Sequence, residues 1–174
     1  MKAVKLLFAA LAMTFAMNAS AEGGHWTADV MLGGVSGAGG FGLGVGYQKN
    51  IAEFNNWNLA WAIVSFDYAA PFNSPADLDY LSLRTGLHLF TPTFWNDNFR
   101  VYTNLAPGYT CVLAKEFTWD TWGTLDEKMG ANHGFGLAFG AGIQFKEKFS
   151  LGYTLQYETA FKSKCHFATI GITF

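Results

Sequence analysis

Charge is what this sequence has least of. Asp, Glu, Lys and Arg make up 14% of its 174 residues, against about a quarter in an ordinary soluble domain, which argues against a well-hydrated charged exterior. The formal net charge is −2, with Lys and Arg scattered singly, so the basic patch that nucleic-acid binding requires is missing. There are only two cysteines, and no Cys/His spacing suggests structural zinc. Past the leader every apolar run is broken by Gly or polar residues at alternate positions, whereas a membrane-crossing helix requires about 20 apolar residues. The glycines from Gly33 to Gly46 belong to a turn and a strand and open no helix, which removes a dinucleotide-binding loop. No cofactor and no metal is expected.

Aromatics, at 17%, and 20 glycines fill the space that charge leaves. At the start, Lys2 and Lys5 precede an apolar stretch from Leu6 to Met17 and then Ala19, Ser20 and Ala21. This is the layout of a secretory signal peptide, cleaved after Ala21. Residues 1–21 are therefore expected to be removed, leaving 22–174 as one domain. No cysteine near the cleavage site offers a lipid anchor.

Alternation of period two runs through the rest, and it places successive side chains on opposite faces of a strand. From Phe149 to Glu158, Phe149, Leu151, Tyr153, Leu155 and Tyr157 take one face while Ser150, Gly152, Thr154, Gln156 and Glu158 take the other. Phe135 to Phe145 repeats the pattern over an opposite face of Gly, Ala and Gln. Further strands are predicted at Trp26–Gly33, Phe41–Gln48, Trp57–Tyr68, Tyr80–Phe90, Phe99–Cys111 and Lys164–Phe174, which makes eight; pairing within the Leu113 to Ala131 connector would make ten. Only the third departs from strict alternation, at Val64 and Phe66.

A soluble barrel would turn the oily faces inward and need charge outside. The polar faces here, mostly Gly, Ala, Ser, Thr, Gln and Asn, suit the narrow interior of a barrel whose oily exterior meets lipid. The expected fold is thus all-β: an eight-stranded antiparallel transmembrane up-and-down barrel. With odd-numbered strands rising from the periplasm, Trp26, Tyr47, Trp57, Phe99, Phe145, Phe149 and Phe174 form a lower aromatic belt, and Phe41, Tyr68, Tyr80, Tyr109, Phe135 and Tyr157 an upper one, as the two interfaces favour. Leu113 to Ala131 becomes the longest outer loop, and Lys49 to Asn56 an inner turn.

The chain ends Phe167-Ala168-Thr169-Ile170-Gly171-Ile172-Thr173-Phe174. In this ending, with the leader and the eight strands, the sequence resembles the small bacterial outer-membrane barrels of the OmpA and OmpX type. The resemblance implies the outer membrane as location, a monomer, and Ile170, Ile172 and Phe174 as the signal read by the outer-membrane assembly machinery. Its members include scaffolds, adhesins, proteins that resist host defence and lipid-modifying enzymes, so function must be argued from sites.

By parity, the inward charges are Asp29, Arg84, Arg100 and Glu158, joined by Gln48, His88, Asn104, Gln144 and Gln156. Charges in a closed lumen must be paired, and Arg84 is expected to meet Asp29 or Glu158 in a plug. A narrow pore is the alternative, opposed by the inward rings of Phe90 and Tyr102. Cys111 and Cys165, at outer strand ends, either form a disulfide, for which the outer loop would have to fold across, or pack as thiols. His133, His166 and Ser163 at the outer rim are the elements of a lipid-ester hydrolase or acyltransferase, but strand seven separates their strands and no carboxylate orients either imidazole, so no catalysis is expected. The segment Glu116-Phe117-Thr118-Trp119-Asp120-Thr121-Trp122 has the rings and polar groups for contact with an extracellular ligand.

Overall fold

The computed structural model describes residues 24–35, 37–72, 78–119 and 125–174; the expected leader lies outside them. Eight strands follow one another: β1 (Gly24–Val35), β2 (Ala38–Phe54), β3 (Trp57–Pro71), β4 (Asp79–Phe90), β5 (Phe99–Trp119), β6 (Leu125–Phe145), β7 (Phe149–Glu158) and β8 (Lys164–Thr173). Each pairs antiparallel with the next. β1 then pairs with β8 from Thr27↔Thr173 to Val35↔Cys165, closing the barrel. Beyond that register, Trp26 and Phe174 exchange backbone hydrogen bonds of 3.2 and 2.9 Å, so the C-terminal phenylalanine completes the seam. We call the end holding this seam the inner end.

Exposure settles which face is inside. On β7, Leu151 is 63% and Phe149 54% exposed, while Gln156 and Glu158 are 9% and 4%. Val30, Leu83, Leu105, Phe139 and Ile170 face outward on their strands in the same way. A closed barrel with an apolar exterior satisfies every strand edge internally and belongs in a bilayer. β7 and β8, at 10 residues each, match the roughly 9 to 11 that a tilted membrane strand needs.

Two of the three inner connections are tight, the third being residues 91–98. Asn55 and Asn56 have φ of 48° and 65°, and Lys146 and Glu147 have 49° and 59°, left-handed pairs whose twist suits a tight hairpin. Near the inner end the rings of Trp26 and Tyr47 lie 5.2 Å apart, and those of Phe99 and Phe145 5.0 Å; near the outer end Phe41 meets Tyr68 at 5.9 Å.

Four expectations are corrected. The Lys49 to Asn56 inner turn is mostly strand, since β2 runs on to Phe54 and leaves a two-residue turn. The Leu113 to Ala131 outer loop is likewise largely strand, with β5 reaching Trp119 and β6 beginning at Leu125; this lengthens two strands without adding others among the described residues. Tyr80, assigned to the upper belt, is buried. Finally, β3 carries a β-bulge: Gln48 pairs with Ala62 and Tyr47 with Val64, so Ile63 is the extra residue. Ile63 and Val64 both face outward, and the parity of everything after them is reversed.

Candidate functional site

The interior divides into three layers. In the middle, Arg84, 5% exposed, forms an ion pair with Asp67 through Nη1 and donates from Nη2 to Ser82 Oγ at 2.9 Å and Gln156 Oε1 at 3.1 Å. Ser82 Oγ lies 3.2 Å from Thr110 Oγ1. Strands β3, β4, β5 and β7 are thereby tied across the lumen. Arg84's partner is thus neither Asp29 nor Glu158, as expected from parity, but Asp67. The bulge explains the miss: strict alternation from Trp57 turns Asp67 toward lipid, and the extra Ile63 turns it inward. The signal lay in two adjacent apolar residues, Ile63 and Val64, followed by small or polar ones at Ser65, Asp67 and Ala69.

The other predicted lumen charges are not joined to this layer. Glu158 caps the outer turn, accepting from the backbone N–H of Phe161 at 3.0 Å and of Ser163 at 3.1 Å, and from Ser163 Oγ. Arg100 sits at the inner end, donating from Nε to Gln144 Oε1 at 2.7 Å and from Nη1 to Glu147 Oε1 at 3.1 Å, with its guanidinium 4.1 Å from the centroid of the Phe90 ring. Asp29 shares its β-ladder row with Gly44 and, through it, Asp67, but it belongs to neither the Arg84–Asp67 nor the Arg100–Glu147 ion pair.

Outward of the Arg84 layer, Met31, Val35, Ala69, Tyr80, Val112, Cys165 and Phe167 form an apolar plug in which Val35, Val112 and Phe167 are 0% exposed. Inward of it the lumen keeps a cavity of about 110 Å³ lined by Asp29, Gln48, His88, Tyr102 and Asn104 among others. The interior is a blind chamber under a dry lid.

No disulfide joins the cysteines: Cys165 belongs to the plug inside the wall, whereas Cys111 pairs across the ladder with the outward-facing His133. The barrel wall separates the thiols, because the two positions have opposite parity. His133 and His166 are both exposed on the outer face. His133 Nδ1 is hydrogen-bonded to the Tyr109 hydroxyl, and the His166 ring lies against Gly34 and 6.4 Å from that of Tyr153. Ser163 instead bonds Glu158 and, at 3.4 Å, Tyr80 Oη. No Ser/His couple is assembled. Ile170 and Ile172 lie exposed on β8 beside Phe174.

At the outer end, β4 stops pairing with β5 at Leu113, beyond which β5 has only β6 beside it as far as Trp119. At about 3.3 Å per residue this two-stranded arm projects roughly 20 Å past its neighbour. It includes part of the expected recognition segment; residues 120–124 lie outside the described residues.

No protein-family model matches the sequence, nor does any curated protein. Solved structures do match. Neisserial surface protein A is 16% identical over 87% of this chain and 96% of that one, with a TM-score of 0.61. The outer-membrane enzyme PagL is 14% identical over 85% and 98%, at 0.55. The N-terminal β-barrel domain of Pseudomonas aeruginosa OprF is 15% identical over 86% and 96%, at 0.54. At these identities the likeness is one of fold, and that fold is the small outer-membrane β-barrel.

Proposed function

We propose, from the premise of a chain with the fold of the small outer-membrane β-barrels and an exterior suited to lipid, that it is a monomeric, non-conducting and non-catalytic protein of the bacterial outer membrane. Its work is done outside, through the β5–β6 arm. The observation that carries this reading is the contrast between a lumen closed by Val35, Val112 and Phe167 and two strands of 21 residues beside two of 10. A closed lumen leaves nothing to transport, and strand beyond the roughly 11 residues a bilayer requires serves something other than spanning it. The rings and polar residues of the Glu116 to Trp122 segment have the composition of a protein- or carbohydrate-recognition surface. Against the catalytic alternative, the Ser163 hydroxyl bonds Glu158 and Tyr80, while the His133 ring bonds Tyr109.

The test is binding of the detergent-purified mature barrel to arrays of extracellular-matrix proteins and surface glycans. A variant in which residues 115–129 are replaced by an Asn-Gly turn is run beside it, its folding checked by the electrophoretic shift on boiling. Specific binding lost in the folded, trimmed variant supports the reading. Binding that survives trimming, release of fatty acid from outer-membrane lipid by the purified chain, or no binding at all would remove it.

A further inference from the structure

The cavity below the Arg84 layer does not balance its own charge. Asp67 and Arg84 neutralise one another, which leaves the Asp29 carboxylate. Its neighbours across both ladders are glycines, Gly44 on β2 and Gly171 on β8. A Cβ at Gly171 would meet Asp29 Oδ1 and Ser150 Oγ, and one at Gly44 would lie 3.7 Å from Asp29 Oδ2. The two bare positions therefore make the room in which the carboxylate sits, with the Ser150 hydroxyl beside it. Tyr102, Ser150 and Thr169 line the same cavity, and on the other side of Gly44 lies Asp67 Oδ1, whose charge Arg84 balances. Two more acceptors line the same cavity, Gln48 Oε1 and Asn104 Oδ1, and both are buried without a hydrogen-bond partner. Gln48 is only 5% exposed and lies toward the inner end, where it pairs with His25.

Buried acceptors left over around one uncompensated carboxylate call for a positive guest. Its charge is set by the arithmetic of the chamber: one net negative charge, with Arg84 close enough to repel a dication. Its type is set by the ligands, which are hard oxygens; among the described residues there is no cluster of three or more His, Cys, Asp or Glu. A cavity of about 110 Å³ accommodates an alkali ion with some of its water, at about 30 Å³ per water molecule. The apolar plug closes the outer route, so entry is from the inner end past Gln48. We propose that the lumen is a blind binding chamber for one monovalent alkali cation, Na⁺ or K⁺, with Asp29 as its charged ligand. The site is separate from the outer arm and independent of what that arm binds.

The experiment uses the full mature chain refolded in zwitterionic micelles at pH 8. The readouts are the ²³Na line width and the temperature of the electrophoretic shift, in NaCl, KCl and N-methylglucamine chloride of equal ionic strength. Expected are a saturable ²³Na broadening displaced by K⁺ but not by N-methylglucamine, and a shift temperature higher in either alkali salt. Asp29→Asn abolishes both effects, and Ser150→Ala raises the half-saturating Na⁺ concentration several-fold while the folded band is retained. Should Asp29→Asn not fold, the wild-type competition and Ser150→Ala decide. An unbroadened line with equal shift temperatures overturns the proposal, as does broadening that persists in Asp29→Asn or ignores K⁺. A shift temperature that rises on acidification equally in all three salts, without broadening, assigns the place to a proton and overturns it too.

Discussion

Asp67 illustrates how much a single inward side chain decides in a barrel this narrow. Its carboxylate holds Arg84, and Arg84 in turn holds Ser82 and Gln156, so the pair fixes the girth of the barrel at mid-height. Removing one member of a buried pair strands the other charge and costs about 3 to 5 kcal/mol, whereas replacing both by apolar groups is often neutral. Asp67→Asn should therefore lower stability by about 3 kcal/mol in urea unfolding of the micelle-embedded barrel, and Asp67→Leu with Arg84→Met should recover most of it. A single variant as stable as the parent would show that the pair carries no such weight. Glycines contribute by omission: the carboxylate of Asp29 and the hydroxyl of Ser150 occupy the space a side chain at Gly171 would take. From the sequence, the inward direction of Asp29, Arg84, Arg100 and Glu158 was legible, because parity depends only on position. Their partners were not, since partners depend on register between strands distant in the chain.

At the scale of elements, the bulge in β3 is where strict alternation stops being a guide, and the wall is stitched there by one residue. Ile63 and Val64 lie together opposite Thr85. Thr85 Oγ1 donates to the Ala62 carbonyl at 3.0 Å and accepts from Trp61 Nε1 at 2.9 Å. On a face where lipid offers no substitute hydrogen bonds, Thr85→Val leaves both groups unsatisfied. It should cost about 1 to 3 kcal/mol, read by the same urea unfolding; an unchanged midpoint would mean the bulge satisfies itself. The bulge also makes an unusual deletion tolerable. Without Ile63 the order becomes Ala62 inward, Val64 outward, Ser65 inward, and Asp67 keeps its place. Deletion of Ile63 should preserve the boiling-dependent band shift, while deletion of Leu83, which turns Arg84 toward lipid, should abolish it; the reverse pattern would refute the register given for β3. The arm of β5 and β6 was illegible for a different reason. Past Leu113 neither face has to be apolar, so the period-two signal fades although pairing continues through Glu116↔Lys128 to Trp119↔Leu125.

For the whole molecule, the architecture was legible because one physical demand repeats in every strand: an apolar residue outward at every second position and a small or polar one inward. What that demand leaves free is how the interior is filled along its length, and here the plug separates a sealed protein from a pore. Met31, Tyr80, Val112 and Phe167 come from four different strands, so no single truncation opens a path. Phe167 is wholly buried, and Phe167→Ala should cost about 3 to 5 kcal/mol as a large-to-small change in a packed core, lowering the temperature of the band shift. The parent should be silent in planar bilayers, and the same variant should remain so, because Tyr80 and Val112 still close the outer half and the Arg84–Asp67 pair still crosses beneath them. Discrete conductance steps from the parent protein would overturn the sealed reading. Steps from Phe167→Ala alone would show that the seal is one ring thick, while silence together with the stability loss would assign the plug to holding the barrel together.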